Sequence, residues 1–358
     1  MAPRRMQAVV CHGPGDYRLQ YVDTPEAGPG DVLVEVGACG VCASDVKCYH
    51  GAPSLWGGEK PYVKPPVIPG HEFIGTVVEL GVGTEELGIR VGDKAIAEQI
   101  FPCRTCRFCR SGQYWMCERN YVFGFQGGVD DGGFAEYMKY PYGSIVHKVP
   151  NEIPNEHAVM IEPLSCAIHA VQRARIELGD VVAIAGMGPL GLCMLQVARM
   201  KNPGKLIALD TRDRRLDLAE RLGADMVINV AREDAVKTVK ALTGGYGCDV
   251  YIEATGYPEA VPQGLEMLRK LGRMVVFGVF REPATVDWSI IGDRKELDIY
   301  GSHLGPYCYP LAIEYIRTGK VRVDRIVTHV FPLSEFRKAF EYSEKGLEGA
   351  IKVVLVPP

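Results

Sequence analysis

Val181-Val-Ala-Ile-Ala-Gly-Met-Gly-Pro-Leu-Gly191 is a short apolar run that stops on closely spaced glycines and a proline. Apolar residues bounded in this way read as a buried strand. Apolar periodicity then continues to about Met200, and proline suits the first position of a helix. A strand, a glycine turn and a helix start make an anion site. Gly186 allows the tight turn, Gly188 lets the backbone approach a pyrophosphate, Gly191 permits close helix packing, and the unpaired N–H groups of the helix start face the anion. Pro189 and Leu190 belong to the same turn. Asp210 closes the next apolar run nineteen residues after Gly191, where a carboxylate bonds the adenosine ribose hydroxyls and repels a 2′-phosphate. That favours NAD over NADP. Arg212, Arg214 and Arg215 follow closely and either soften this preference or simply start a solvated helix. Arg215 and Thr255 are also expected at the cofactor.

Outward from this turn the pattern alternates. Strands are expected at Val181–Ala185, Leu206–Leu209, Met226–Asn229, Val250–Glu253 and Met274–Phe277, with helical stretches between them, among them Arg214–Leu222. Such alternation specifies a parallel sheet. Before residue 156 the chain is broken by glycine and proline into short β-branched runs, such as Asp31–Val36, Gly75–Glu79 and Lys94–Ala97, which argues for mostly antiparallel structure. After Gly292 it returns to short mixed elements and ends in the strand-like Ile351–Val356. The fold class is therefore α/β, with residues 156–292 inserted as a nucleotide domain into a β-rich domain made of residues 1–155 and 293–358.

That β-rich part carries Cys103-x2-Cys106-x2-Cys109-x7-Cys117. Four thiols at this spacing suit one tetrahedral zinc ion, and a shell filled by sulfur leaves no position for substrate. The alternatives are four unrelated thiols or two disulfides. The remaining eight cysteines are scattered, and no apolar leader follows Met1-Ala2-Pro3-Arg4-Arg5, so a reducing, cytoplasmic location is expected. With 40 basic against 44 acidic residues, the net charge of −4 offers no general attraction to nucleic acid or anionic membrane. No apolar run is long enough to cross a bilayer. Small-molecule chemistry is the default.

A reactive metal must then sit elsewhere than in the lobe, and its candidate ligands are Cys42, His71, Glu72 and Glu162. A soft thiolate, an imidazole and a carboxylate form a plausible zinc shell with one open position. Each residue taken singly also has a bland reading: a turn hydrogen bond for His71 and Glu72, a small buried hydrophobe for Cys42.

Taken together, Gly70-His-Glu-x2-Gly-x5-Gly81, the four-cysteine lobe and the Gly-x-Gly-Pro-Leu-Gly turn resemble the zinc-containing medium-chain dehydrogenases over almost the whole chain. Ile161-Glu-Pro-Leu164, Val327-Thr-His329 and Phe331-Pro-Leu333 are most similar to the sorbitol, xylitol and threonine dehydrogenase branch. The resemblance implies a GroES-like catalytic domain, its zinc lobe at about residues 98–120, a Rossmann domain, and an active site between the domains. It implies two zinc ions per chain, a structural one on Cys103, Cys106, Cys109 and Cys117, and a catalytic one on Cys42, His71 and a carboxylate. Glu72 and Glu162 both qualify as that carboxylate, with exchange between them as a further possibility.

The activity implied is oxidation of a secondary alcohol of a polyol to a ketose, with zinc acidifying the hydroxyl and hydride passing to the nicotinamide. Ser44 matches the hydroxyl that takes the substrate proton, though it could instead cap a helix. His50 is the candidate to continue that relay, although Lys47 stands where relatives carry histidine. Asp45 is expected to orient neighbours of the metal. Sorbitol dehydrogenases commonly carry Arg-Tyr after the Asp-Ile-x-Gly segment, whereas Ser302-His303 stands here, and Trp56 is expected to cover the pocket mouth. A short substrate such as erythritol or threitol is expected. The competing readings are sorbitol or xylitol oxidation, an L-threonine-type amino-alcohol enzyme, a catalytically silent zinc module and a zinc-free quinone reductase, the last lacking both the ligand set and the lobe. A homo-oligomer, with a tetramer favoured over a dimer, is expected from the same resemblance.

Overall fold

The computed structural model describes residues 2–127 and 131–358. Val181–Ala185, Lys205–Asp210, Met226–Asn229, Cys248–Glu253, Leu268–Val276 and Asp298–Gly301 are strands, and each pairs in parallel with its neighbour. Numbered along the chain, their spatial order is 3-2-1-4-5-6, the order of a two-halved nucleotide-binding sheet. Parallel strands covered on both faces must be apolar throughout, which is why Val181–Ala185 reads as an unbroken run. Ala183, Ile207, Leu209, Ile228, Tyr251 and Met274 are fully or almost fully buried in the core of this sheet. The order reverses between the first strand and the fourth, so the crevice for a ligand opens past Ala185 and Glu253.

The chain divides into two units: Met1–Glu162 with Tyr309–Gly319 and Ile326–Pro358, and Pro163–Cys308 with Lys320–Arg325. The parallel sheet lies in the second unit. It reaches beyond residue 292, because Asp298–Gly301 adds to its edge beside Leu268–Val276. This corrects the expected boundary. A four-residue edge strand, mostly exposed, has only one neighbour to satisfy and carries no apolar run to announce itself.

In the first unit, a seven-stranded sheet contains Val327–Pro332, Lys352–Val356, Val32–Val41, Glu72–Leu80, Lys94–Ala97 and Val146–Val149 in that order, with Tyr137–Tyr140 also paired to Val32–Val41. All but one of these pairings are antiparallel, as the punctuated sequence predicts. Val32–Val41 is the organising strand. On one side Gly40 pairs with Glu72, and on the other Val41 pairs with Val353. Three strand ends therefore meet where Val32–Val41 gives way to the helix Ala43–Tyr49.

Candidate active site

Register alone brings the first group of side chains together. Cys42 is the N-cap of Ala43–Tyr49, and Glu72 begins the strand paired to Gly40. Ligand atoms of Cys42, His71 and Glu72 all lie within 4.8 Å of one another. His71 and Glu72 are buried and Cys42 is half-buried. Asp45, also buried, accepts the Cys42 backbone N–H at 2.9 Å with Oδ2, while its Oδ1 stands 3.6 Å from His71 Nδ1. One carboxylate thus fixes the Cys42 backbone by a hydrogen bond and faces the imidazole. Burial works against protonation of His71, yet the Asp45 carboxylate and the Cys42 sulfur beside it hold its pKa well above the usual imidazole value. A field that favours a proton there also favours a divalent cation. With a soft sulfur, an imidazole and a carboxylate converging, the donor set fits zinc.

Lys352 is the member that sequence reading missed. Its ammonium is buried, pairs with Glu72 Oε2 and donates to the Val41 carbonyl at 3.1 Å. Although burial alone would lower it, Glu72 and then Cys42 raise the Lys352 pKa. Gly40 makes room for the pair, since a Cβ there would come within 2.2 Å of Glu72 Oε2 and 2.8 Å of Lys352 Cε. The available signal was one lysine in the apolar strand Lys352–Val356, all of whose neighbours point to burial.

Glu162 stands at the start of the helix Ile161–Ala174 and is buried. It lies outside the group of three and accepts a hydrogen bond from Gln99 Nε2 at 2.5 Å. Ser44 is half-buried in the first turn of Ala43–Tyr49, two residues past the N-cap, so capping is not its role. His50 is exposed and pairs with Glu344 at 3.1 Å. Its hydrogen bond is with this surface carboxylate and not with the ligand group. Trp56 donates its indole N–H to the Cys48 carbonyl at 2.8 Å, which pins it to the same helix.

The second group is the four-cysteine lobe. All four sulfurs fall within 4.8 Å of one another, and Cys103 Sγ and Cys109 Sγ are 3.9 Å apart. Four thiolates at the usual zinc–sulfur distance would be about 3.8 Å apart at the edges of a tetrahedron. All twelve cysteines are free, so the disulfide alternative falls away. The Thr105 hydroxyl, then the backbone N–H groups of Thr105 and Cys106, point at Cys103 and bring its pKa down to about 5. N–H groups aimed at sulfur prepare a thiolate for a cation.

The third group, in the second unit, is the cofactor turn. Gly186 has φ +93°, and a Cβ on Gly191 would lie 1.7 Å from the Gly186 carbonyl oxygen, so both positions require glycine. Above Gly188 the space is open, with only an Arg215 nitrogen within 4 Å. Gly188 is the N-cap and Pro189 the first residue of the helix Pro189–Arg199, in which Leu190 and Gly191 follow. A cleft of about 530 Å³ is lined by Gly186, Gly188, Asp210, Arg212, Arg215 and Thr255 among others. Asp210 accepts the Met187 N–H at 2.7 Å with one oxygen and the Arg212 N–H at 2.9 Å with the other. Arg215 Nη1 stands 3.7 Å from Asp210, and burial lowers the pKa of this guanidinium. Thr255 is held by Glu253, a fully buried carboxylate that also accepts the Thr255 and Gly256 N–H groups at 2.7 and 2.9 Å. Glu253 was legible only as a strand end. An open turn facing a strand-end carboxylate fits a dinucleotide.

A parallel nucleotide-type sheet, a β-rich unit and two separate sets of zinc-type donors define a metal-dependent oxidoreductase. The chain belongs to the zinc-dependent alcohol dehydrogenase family: residues 28–151 match the alcohol dehydrogenase GroES-like domain and residues 189–318 the zinc-binding dehydrogenase domain. It is 53% identical to the erythritol/L-threitol dehydrogenase of Mycolicibacterium smegmatis, covering 99% of this chain and 98% of that protein. It is 38% identical to the L-threonine 3-dehydrogenase of Pyrococcus horikoshii, covering 98% and 99%. Among solved structures, a zinc-binding dehydrogenase of Sinorhizobium meliloti 1021 bound to NADP superposes with a TM-score of 0.89 at 30% identity, covering 99% of each chain.

Proposed function

We propose that this enzyme oxidises a secondary alcohol of a four-carbon polyol, erythritol or threitol, to the ketose, using zinc and NAD. The observation that carries the reading is the buried, mixed set of Cys42, His71 and Glu72, in a chain 53% identical along its length to an erythritol/L-threitol dehydrogenase. Cys42, His71 and a carboxylate, Glu72 or Glu162, would hold the catalytic zinc, and the four lobe cysteines a structural one. Bound zinc acidifies an alcohol hydroxyl and the nicotinamide accepts a hydride. The chain's own residues do the rest. Asp45 aims His71 and the Cys42 backbone, Lys352 balances the charge of Glu72, and Ser44 Oγ takes the proton from the substrate hydroxyl. Gly186, Gly188 and Gly191 shape the phosphate turn, Asp210 holds the adenosine ribose, and Arg215 and Thr255, the latter fixed by Glu253, line the cofactor cleft. His50 is left out of the relay because it is paired with Glu344.

The test is a panel of tetritols, pentitols, sorbitol and L-threonine with NAD or NADP. The highest kcat/KM is expected on a tetritol with NAD. An equal or higher value on sorbitol or L-threonine would overturn the substrate assignment. Arg212 and Arg215 beside Asp210 favour a second reading for the cofactor alone, in which NADP is also used. Comparable kcat/KM with the two cofactors would select it. We further read the enzyme as a cytoplasmic homo-oligomer, most simply a tetramer, which its mass in solution checks.

A further inference from the structure

A chain of buried polar groups outside the ligand sets ends on Glu162. The strand Lys94–Ala97 is followed by Glu98 and Gln99, which are 3% and 1% exposed. Glu98 accepts from the Tyr114 hydroxyl at 2.7 Å and lies 3.0 Å from His147 Nε2. Gln99 donates Nε2 to Glu162 Oε1 at 2.5 Å and accepts from the Tyr309 hydroxyl at 2.6 Å with Oε1. Its backbone N–H donates to the same hydroxyl at 3.1 Å. The Tyr309 ring, fully buried, stacks on His147 with centroids 5.4 Å apart and planes at 18°. All these residues belong to the first unit.

Chemistry settles which way the Gln99 amide points. A carboxylate can only accept, so the NH2 end must face Glu162, and the carbonyl end takes the tyrosine proton. Burying an amide, a phenol and a carboxylate together costs more than burying apolar residues of the same volume, unless every group is paired. Here each has a partner, and the Gln99 amide fixes a donor on Glu162 Oε1. That bond holds the carboxylate in direction. On both sides of the amide the geometry is also stiff: Glu98 is clamped by two partners and Tyr309 by ring stacking.

We propose that Gln99 is a positioning residue for Glu162, held in turn by Tyr309, and that the pair sets the aim of this carboxylate in the catalytic metal site. The inference rests on the reading that Glu162 acts at that site. Removing a partner that orients a metal-site group costs about 10–100-fold in activity or metal affinity. Gln99→Leu should lower kcat by about that factor and shift the visible spectrum of the cobalt-substituted enzyme, with the KM for NAD unchanged. Tyr309→Phe should act in the same direction and more weakly, and it carries the test if Gln99→Leu does not fold.

The deciding measurement is a double-mutant cycle with Glu162→Gln. Once Glu162→Gln is in place, adding Gln99→Leu should change kcat and the cobalt spectrum hardly at all. Effects that multiply independently, or a Gln99→Leu enzyme with unaltered kcat and spectrum, would overturn the proposal. If Glu162→Gln alone leaves both unchanged, the placement of Glu162 at the metal site fails instead, and the proposal fails with it. The three results are distinct.

Discussion

The four-cysteine lobe and the Cys42 group are both sets of soft donors within 4.8 Å of one another, yet they are built in opposite ways. In the lobe, ligands come from one short segment, residues 103–117, mostly half-buried, and the groups aimed at Cys103 are local N–H and hydroxyl donors. In the Cys42 group, the donors sit at the ends of two paired strands, Val32–Val41 and Glu72–Leu80, and charged neighbours, Asp45 and Lys352, are buried with them. A local loop closed by four like ligands can stiffen a fold but has no position to offer. A mixed, charged set assembled by sheet register leaves a position open, and the fold must supply its counter-charges. On the proposed reading, the lobe would serve stability and the Cys42 group chemistry.

The largest effect expected tests the lobe. Binding of a structural zinc contributes on the order of 10 kcal/mol to a small site, so Cys117→Ser should cause loss of lobe zinc and a large drop in melting temperature. Any of this enzyme that remains folded should retain turnover. Normal stability with abolished turnover would reverse the division of labour. Next comes the buried ion pair. With no metal on the Cys42 group, Lys352→Met removes the buried partner of Glu72, at a cost of about 3–5 kcal/mol in urea unfolding. Adding Glu72→Gln should recover part of that loss, and lobe zinc should be unaffected in both. A fall in lobe zinc would show that the two sets are not independent.

Ser44→Ala should lower kcat by about 100-fold, the effect of losing a proton-transfer group. Its melting temperature and zinc content should match wild type, as Ser44 is not the helix cap. A control comes from the second unit. Burial, then Arg173 and His303, bring the His169 pKa from 6.5 down to about 4. The folded protein therefore favours neutral His169, and this contribution is complete above pH 6.5 and is lost as pH falls towards 4. His169→Gln should flatten that part of the stability profile by the same amount with and without zinc. A difference that depends on zinc would tie His169 to a metal set.

Much of this arrangement was legible before the structure, for physical reasons that differ from region to region. Strands Val181–Ala185, Met226–Asn229 and Lys94–Ala97 begin and end where expected, because buried strands need apolar side chains and glycine or charge marks their ends. Asp298–Gly301 was placed in the wrong part of the fold, since an exposed edge strand carries no such mark. Cys103 to Cys117 could be grouped from spacing, because local ligands need no knowledge of topology. Cys42 and His71 could be grouped by donor type but not by spacing, and family resemblance was needed to put them on one ion, as their meeting depends on the pairing of Gly40 with Glu72. Lys352 offered only the hint of a lysine in an apolar strand, and Gln99 offered none. Their roles follow from partners 280 and 63 residues away, which only the folded sheet brings near.

The central claim is that the hydride chemistry depends on the Cys42 group and not on the lobe, and zinc content measured together with turnover tests it most directly. Wild type should bind two zinc ions per chain. Cys42→Ser should keep the one in the lobe, retain its fold and NAD binding, and lose turnover on the best tetritol by about 10³-fold or more, the several kcal/mol that a Lewis acid contributes. Full zinc content with unchanged turnover in Cys42→Ser would contradict the account.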